Sequence, residues 1–384
     1  QTRPARRAGY ELIFPAQLKM KIMKQKADSL YKKITSCRFA YLLCYTLVFV
    51  ICIAACTGYF FIDHKTNIWQ QDGLKQHYNA LLYYGKYLKA LLGSIFDGGG
   101  FKMPMWDPAM GYGSDIITTL HYYAIGDPLT LLSAFTPTAL MQYLYFCIYV
   151  LRLYLAGLAF SWFSLWHGNG RCPTLLASMI YVFGAYSLSQ CLMHSCFAPP
   201  LIYFPLILLG IDKIYKGRSP VLFITATSVA ALSNFYYFYM QALLAAMYVI
   251  YRYFCEFRGK GAGNFFKTLG KFAVFALNAF LISAVMLIPV LEVMLASARW
   301  KAEKYVPLLY RPTYYFSLLS DFISHRGSGS GTLLGYTALP LITVILLFLK
   351  GKEYARLRFL FICLTAFLLI PAAGFALNGF AYVT

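Results

Sequence analysis

Phe39-Ala-Tyr-Leu-Leu-Cys-Tyr-Thr-Leu-Val-Phe-Val-Ile-Cys-Ile-Ala-Ala-Cys-Thr-Gly-Tyr-Phe-Phe-Ile62 is an apolar stretch without one charged side chain. About 20 apolar residues in a helix cross the ~30 Å hydrocarbon core of a bilayer, so this run is long enough to span it. In lipid the backbone must satisfy its own hydrogen bonds, which a helix does. Eight further apolar runs follow, at about 138–165, 173–192, 197–212, 220–236, 237–256, 270–294, 333–349 and 359–379. The pattern predicts an all-α, polytopic transmembrane bundle of about nine spans. Composition agrees, with 60% apolar and 12% charged residues, against about 25% charged in ordinary soluble domains. Tyrosine (33) and phenylalanine (32) are abundant, which suits helices that cross interfacial belts and line a cavity.

The formal charge is +20. In a soluble protein that excess would suggest nucleic acid. Here no nucleic-acid partner is expected, because the basic residues fall in short loops between apolar runs, where they set orientation and meet anionic lipids. Residues 1–38 carry ten of them. The later loops on the same side carry Arg171, then Lys213, Lys216 and Arg218, then Arg258, Lys260, Lys267 and Lys271, then Lys350, Lys352, Arg356 and Arg358. Residues 1–38 therefore read as a basic cytoplasmic segment. It has no cleavable apolar core, so the run from Phe39 acts as an uncleaved anchor. The chain begins at Gln1 without a methionine, which makes Met20 and Met23 candidate starts. The ten cysteines sit mainly in or beside apolar runs, with no CxxC, and read as small apolar residues. Cys191 and Cys196 are a candidate pair if that side is oxidising.

Two long connections, 63–137 and 297–332, fall on the side opposite the basic loops, and long polar loops on a rigid scaffold are where function concentrates. The first holds Asp63, Asp72, Asp97, Asp107, Asp115 and Asp127. Within it Leu74, Tyr78, Leu81, Leu82, Gly85, Leu88, Leu92 and Ile95 recur at helical spacing, which predicts an amphipathic helix lying in the membrane interface. Asp72 sits at its start. One reading makes Asp72 an N-cap, although Lys75 at the third helical position precludes the reciprocal capping box. The other makes it a general base at the level of the lipid head groups. Gln76 and His77, one turn on, are placed to hydrogen-bond a sugar or phosphate.

Residues 104–128 combine turn formers, carboxylates and aromatic rings, a mixture suited to sugar binding; Asp107, Asp115 and His121 are its candidate ligands. Asp107 and Asp127 precede prolines and also read as carboxylates bonded to their own turns. Arg152 lies near the middle of the second run. An intramembrane arginine is costly enough to mark a cavity, an anionic ligand or an ion pair. In the second long loop Arg299, Lys301, Lys304, Arg311, His325 and Arg326 form a cationic cluster. With Arg152, its arginines and lysines are candidates to neutralise a lipid phosphate leaving group. Phosphate-cradling glycine loops, a nucleophile elbow and zinc spacings are absent, which argues against an ATP-driven pump or a familiar hydrolase.

Asp72-Gly-Leu-Lys-Gln-His77, Pro104-Met-Trp-Asp-Pro-Ala-Met-Gly-Tyr-Gly-Ser-Asp115, the stretch 122–137 and Leu377-Asn-Gly-Phe-Ala-Tyr-Val-Thr384 occur in this order over most of the chain. The set resembles the bacterial YfhO-like membrane proteins, polytopic glycosyltransferases of the GT-C class. The resemblance implies a bacterial cell-membrane enzyme with its active site on the outer face. Its donor would be an undecaprenyl-phosphate-linked sugar and its acceptor a cell-envelope polymer such as a teichoic acid. Residues 39–384 would form the transmembrane transferase domain, with further spans and an outer domain beyond it. It points to Asp72 as the catalytic carboxylate. Many GT-C enzymes carry adjacent acidic residues there, whereas this chain has Gln71-Asp72-Gly73, so no cofactor is implied beyond a candidate divalent cation. A transporter or flippase for a lipid-linked precursor is the alternative, and a non-catalytic assembly scaffold a third reading.

The alternation of basic loops predicts that cysteines introduced at Asn67 and Ser328, in a background without native cysteines, react with an impermeant thiol reagent in intact cells. Labelling only after lysis would overturn the orientation.

Overall fold

The computed structural model describes residues 38–97, 100–123, 125–257, 259–297, 305–320 and 338–378. They are almost entirely helical. Helix α1 (Arg38–Ile62) leads into a π-helical turn, Gly73–His77, that continues as α2 (Tyr78–Phe96). A two-residue antiparallel ladder, β1 (Trp106–Asp107) with β2 (Ser114–Asp115), precedes the short α3 (Ile116–His121). The bundle continues with α4 (Met141–Trp166), α5 (Arg171–Val182), α6 (Pro199–Tyr215), α7 (Val221–Ser233), α8 (Phe235–Glu256) and α9 (Gly261–Ala296). It closes with α10 (Pro312–Ser320), α11 (Ala338–Leu349), α12 (Ala355–Leu369) and α13 (Pro371–Leu377). Helix α6 lies at the centre, packed on α4, α7 and α8, and α9 covers α7.

The outer helices bury one stripe each because their other faces meet lipid rather than water, and acyl chains do not penalise exposed apolar groups. On α1, Tyr41, Tyr45, Phe49, Ile53 and Thr57 are buried at four-residue spacing, while Leu43, Leu47, Val50 and Ile51 are exposed. Hydroxyls inside the bundle find partners: Tyr41 Oη donates to Ser161 Oγ at 2.7 Å and Tyr45 Oη to the Tyr154 carbonyl at 2.8 Å.

Every apolar run of the sequence meets helix, but the nine-span count is not reached. Four helical segments among the described residues are long and apolar enough to cross a bilayer, Arg38–Ile62, Thr138–Trp166, Ser195–Tyr215 and Gly261–Ala296, and up to six if each bent pair is one span. The bent pairs are Arg171–Val182 with Tyr186–Met193, at 45°, and Ala355–Leu369 with Pro371–Leu377, at 92°. Two breaks interrupt the predicted runs. Asn234, in extended conformation, ends α7 after 13 residues and caps α8, accepting from the amides of Tyr236 (3.0 Å) and Tyr237 (3.3 Å). Pro371 opens α13 and cannot continue α12 across Ile370.

The amphipathic helix exists, starting at Tyr78 rather than Leu74. Its apolar face is seated on protein instead of being left to the membrane interface: Leu81 packs with Met141, Tyr145 and Ile148, and Tyr84 with Ile116, Leu120 and Ile125. Cys191 and Cys196 are both buried free thiols, so the candidate pair is not formed. Asn67 is buried, which makes the exposed Gln70 the better labelling position, and Ser328 lies outside the described residues.

The two ends of the bundle differ in chemistry. One gathers the loop 63–137, the break at 183–198 and the α7–α8 junction. The other is held by Asp212, whose carboxylate meets Arg252 Nε at 2.6 Å, Tyr248 Oη at 2.8 Å and His167 Nε2 at 3.1 Å. Glu256 pairs there with Arg252 and Lys216.

Where α6 crosses α7, an ideal Cβ at Gly210 would lie 2.6 Å from Phe223 Cα and 2.7 Å from its nitrogen. Backbone atoms cannot turn aside as a side chain can. Gly→Ala within a helix normally gains up to about 1 kcal/mol, whereas overpacking costs about 1–3 kcal/mol. Gly210→Ala should therefore lower the melting temperature in detergent, while Gly58→Ala, with no heavy atom within 4 Å, should leave it unchanged or raised. An unchanged Gly210→Ala protein would mean that α6 and α7 do not cross this closely.

Candidate functional site

Asp72 precedes the π-helical turn and its side chain makes no capping hydrogen bond. Its Oδ1 instead accepts from Gln76 Nε2 at 2.9 Å, and Gln76 Oε1 accepts from Tyr123 Oη at 2.9 Å. The π-turn arises because the Tyr78 amide reaches back to the Gly73 carbonyl, and such turns recur at functional sites. Beneath it His77 is buried, with Nε2 2.6 Å from His194 Nδ1 and Nδ1 3.6 Å from Cys196 Sγ. Burial, then the neighbouring His194, pull the His77 imidazole down to about 4, against the opposing field of Asp72. Burial lowers His194 as well, again against Asp72. Both shifts favour the neutral imidazoles, between which a single N–H can be shared. His194 also meets Trp69 edge-on (5.4 Å between centroids) and stacks on Phe197 (4.7 Å). The result is a half-buried carboxylate beside a wall of aromatic and imidazole rings. A second π-turn, Tyr186–Gln190, lies in the segment that delivers His194.

Behind that wall Arg152 is almost wholly buried. Its Nε donates to Asp127 Oδ2 at 2.8 Å and Nη2 lies 2.6 Å from the same oxygen. Its Nη1 donates to the Ser195 carbonyl at 2.6 Å and to Ser195 Oγ at 2.7 Å. Asp127 Oδ1 accepts from Tyr203 Oη at 3.1 Å and from the Leu129 amide at 3.3 Å. A cavity of about 20 Å³ separates His77 and Tyr123 from Arg152 and Ser195, room for about one water.

The bacterial membrane protein YfhO family matches residues 44–381. The chain belongs to this family. A curated relative, the uncharacterized protein YfhO of Bacillus subtilis (strain 168), is 24% identical over 185 residues, covering 48% of this chain and 20% of the relative. The chain thus matches about one fifth of that relative's length. No solved structure matches it.

In this YfhO-family chain the sequence-predicted site residues fall into separate groups. Asp72, Gln76 and His77 come together at the first turn before α2. Asp107 and Asp115, on β1 and β2, lie beside later turns of that helix: Asp107 accepts from Tyr83 Oη at 2.5 Å and from the Ala109 amide at 2.8 Å, the turn bond its place before proline suggested. The Tyr83 and Ala109 hydrogen bonds lower its carboxyl below the usual range. Asp115 caps α3, accepting from the Thr118 amide at 2.7 Å, and stands near enough to Tyr87 to help burial raise that phenol. Tyr87 is 15 residues from Asp72 in sequence, so Asp115 meets α2 several turns beyond the end that carries Asp72. His121 is fully buried, its Nε2 2.8 Å from the Leu232 carbonyl, and burial lowers its imidazole; it anchors α3 to the α7–α8 junction and does not face an open site.

Arg152, read as a phosphate ligand or an ion pair, is engaged by Asp127 and Ser195. Arg311 is exposed just before α10 and forms no ion pair among the described residues. Arg299, Lys301, Lys304, His325 and Arg326 lie outside the described residues. Sequence reasoning missed His194, Trp69 and the pairing of Asp127. The signal for the last was present, since a lone arginine in an apolar helix needs a carboxylate from elsewhere.

Breaking a buried pair strands a charge and costs about 3–5 kcal/mol. Arg152→Leu and Asp127→Leu should each lower the melting temperature steeply in detergent, and the double variant should lose clearly less than the sum, as coupled partners do. Additive losses would mean that the two side chains do not form a pair in the folded protein.

Proposed function

We propose that this chain transfers a sugar from a polyprenyl-phosphate donor to a hydroxyl of a cell-envelope polymer such as a teichoic acid, as a GT-C-type enzyme with Asp72 as general base. The carrying observation is that Asp72 spends none of its lone pairs on the helix start, whereas Asp115 does. A carboxylate that does not cap has been placed beside Trp69, Tyr123 and His194, ring faces of the kind that pack on the apolar side of a pyranose. In this reading the loop end of the bundle is the outer face and the basic end is cytoplasmic. The acceptor oxygen attacks the anomeric carbon as the bond from that carbon to the phosphate oxygen breaks. Asp72 takes the hydroxyl proton, polyprenyl phosphate leaves with the bonding pair, and the anomeric centre inverts. Among the described residues no three His, Cys, Asp or Glu side chains converge to hold an ion. Asp72 is the carboxylate that a divalent cation bridged to the donor phosphate would meet.

A transporter or flippase is the second reading. It is favoured by the 45° break in the pair Arg171–Val182 and Tyr186–Met193, since discontinuous helices mark the substrate sites of many transporters. In that reading Asp72 has no proton to take.

Asp72→Asn separates the two. The amide keeps an oxygen for Gln76 Nε2, so folding should be normal. It cannot take up a proton, so transfer measured with the full-length protein should fall by about two or more orders of magnitude. Asp115→Asn should transfer normally, because Asn caps about as well as Asp. Near-normal transfer by Asp72→Asn would remove Asp72 from the mechanism. Translocation of lipid-linked sugar in reconstituted vesicles by both the wild type and Asp72→Asn, with no transferase activity in the wild type, would establish the second reading.

A further inference from the structure

A groove of about 640 Å³ runs between α8 and α12, at the end of the bundle opposite Asp72. Its walls are Ile250 and Phe254 of α8 and Phe359, Leu360 and Cys363 of α12, with Arg356 at its mouth. From Cys255 to Met247, its limits on α8, the helix rises about 12 Å, close to the ~15 Å depth of one bilayer leaflet. Tyr251 and Arg356 are the polar side chains of a lining that is otherwise apolar, and unfilled apolar walls forfeit their contacts. The groove therefore fits a chain of hydrocarbon entering from one leaflet.

The mouth supplies the sign of the head group. Arg356 is exposed and its Nη1 donates to the Cys255 carbonyl at 3.3 Å. Among the described side chains it forms no ion pair, and Glu256, next to Cys255, is held by Arg252 and Lys216. Arg358, two residues on, has its guanidinium turned to the Phe348, Lys350 and Gly351 carbonyls. Arg356 is thus a cation at the level where a lipid phosphate lies, at the top of a leaflet-deep apolar groove. We propose that this groove retains one anionic phospholipid, with an acyl chain against Phe254 and Leu360 and its phosphate on Arg356. The inference does not rest on glycosyl transfer.

The test is native mass spectrometry of the purified full-length protein in mild detergent doped with dioleoylphosphatidylglycerol or dioleoylphosphatidylcholine. The wild type should retain one phosphatidylglycerol in preference to phosphatidylcholine. A single surface cation contributes about 1 kcal/mol toward anionic lipid, so Arg356→Gln should weaken phosphatidylglycerol about fivefold and erase the preference. Leu360→Trp, which fills the groove, should weaken both lipids. Inorganic phosphate at the same concentration should not displace the lipid. Three results would each overturn the proposal: an undiminished preference in Arg356→Gln, displacement by inorganic phosphate, or no retained lipid in the wild type. The last would mean that protein covers the groove.

Discussion

The Arg152–Asp127 pair constrains the rest of the structure. Helix α4 carries a guanidinium near its middle and no carboxylate of its own, and leaving that charge to lipid would cost several kcal/mol. The counterion has to come from another segment, and it comes from the first long loop. Bringing Asp127 to Arg152 drags the 3-10 segment Pro128–Ala134 into the bundle. That segment is the seat for α2: an added Cβ on Gly85 would approach the Ser133 carbonyl to 2.9 Å, so only glycine lets the helix settle there. The same guanidinium reaches the Ser195 carbonyl, where the chain passes from the bent pair into α6. One arginine thereby organises both the loop that carries Asp72 and the break that carries His194.

This dependence shows why part of the architecture was legible in the sequence and part was not. Apolar runs report their own solvent, so residues 39–62 and 270–294 could be recognised as helices in lipid from composition alone. The cost of a lone intramembrane arginine is equally local, and Arg152 stood out for that reason. What an apolar run does not encode is its own continuity. A single Asn234 divides 220–256 into two helices because its side chain can replace the hydrogen bonds a helix start lacks, and nothing in the hydropathy of the flanking residues announces that. The carboxylates were harder still. Asp72 and Asp115 both precede helical stretches, and spacing favoured the first as the cap. The structure reverses them, because Asp115 adopts the extended backbone that a capping residue needs, whereas Asp72 is already helical. Backbone conformation at one residue decided the outcome, and it depends on contacts distant in sequence, among them the packing of Gly73 near the Met193 carbonyl.

The same contrast separates scaffold from site in energetic terms. Asp127, Arg152, Asn234 and His121 are buried, and the buried charges among them are costly to strand, so they fix geometry. Asp72, Gln76 and Tyr123 form a chain of two hydrogen bonds at the margin of the bundle, with Gln76 exposed. A hydrogen bond of this sort contributes only about 0.5–1.5 kcal/mol net, and a hydroxyl arriving from a ligand can replace it without loss. The cavity behind His77 admits about one water, so any larger ligand reaching Asp72 would have to sit in front of the imidazole pair, where displacing the Gln76 amide would open the carboxylate. A firmly held backing and a cheaply broken front are what a carboxylate needs if it is to stay in place yet exchange its hydrogen-bond partner when substrate arrives.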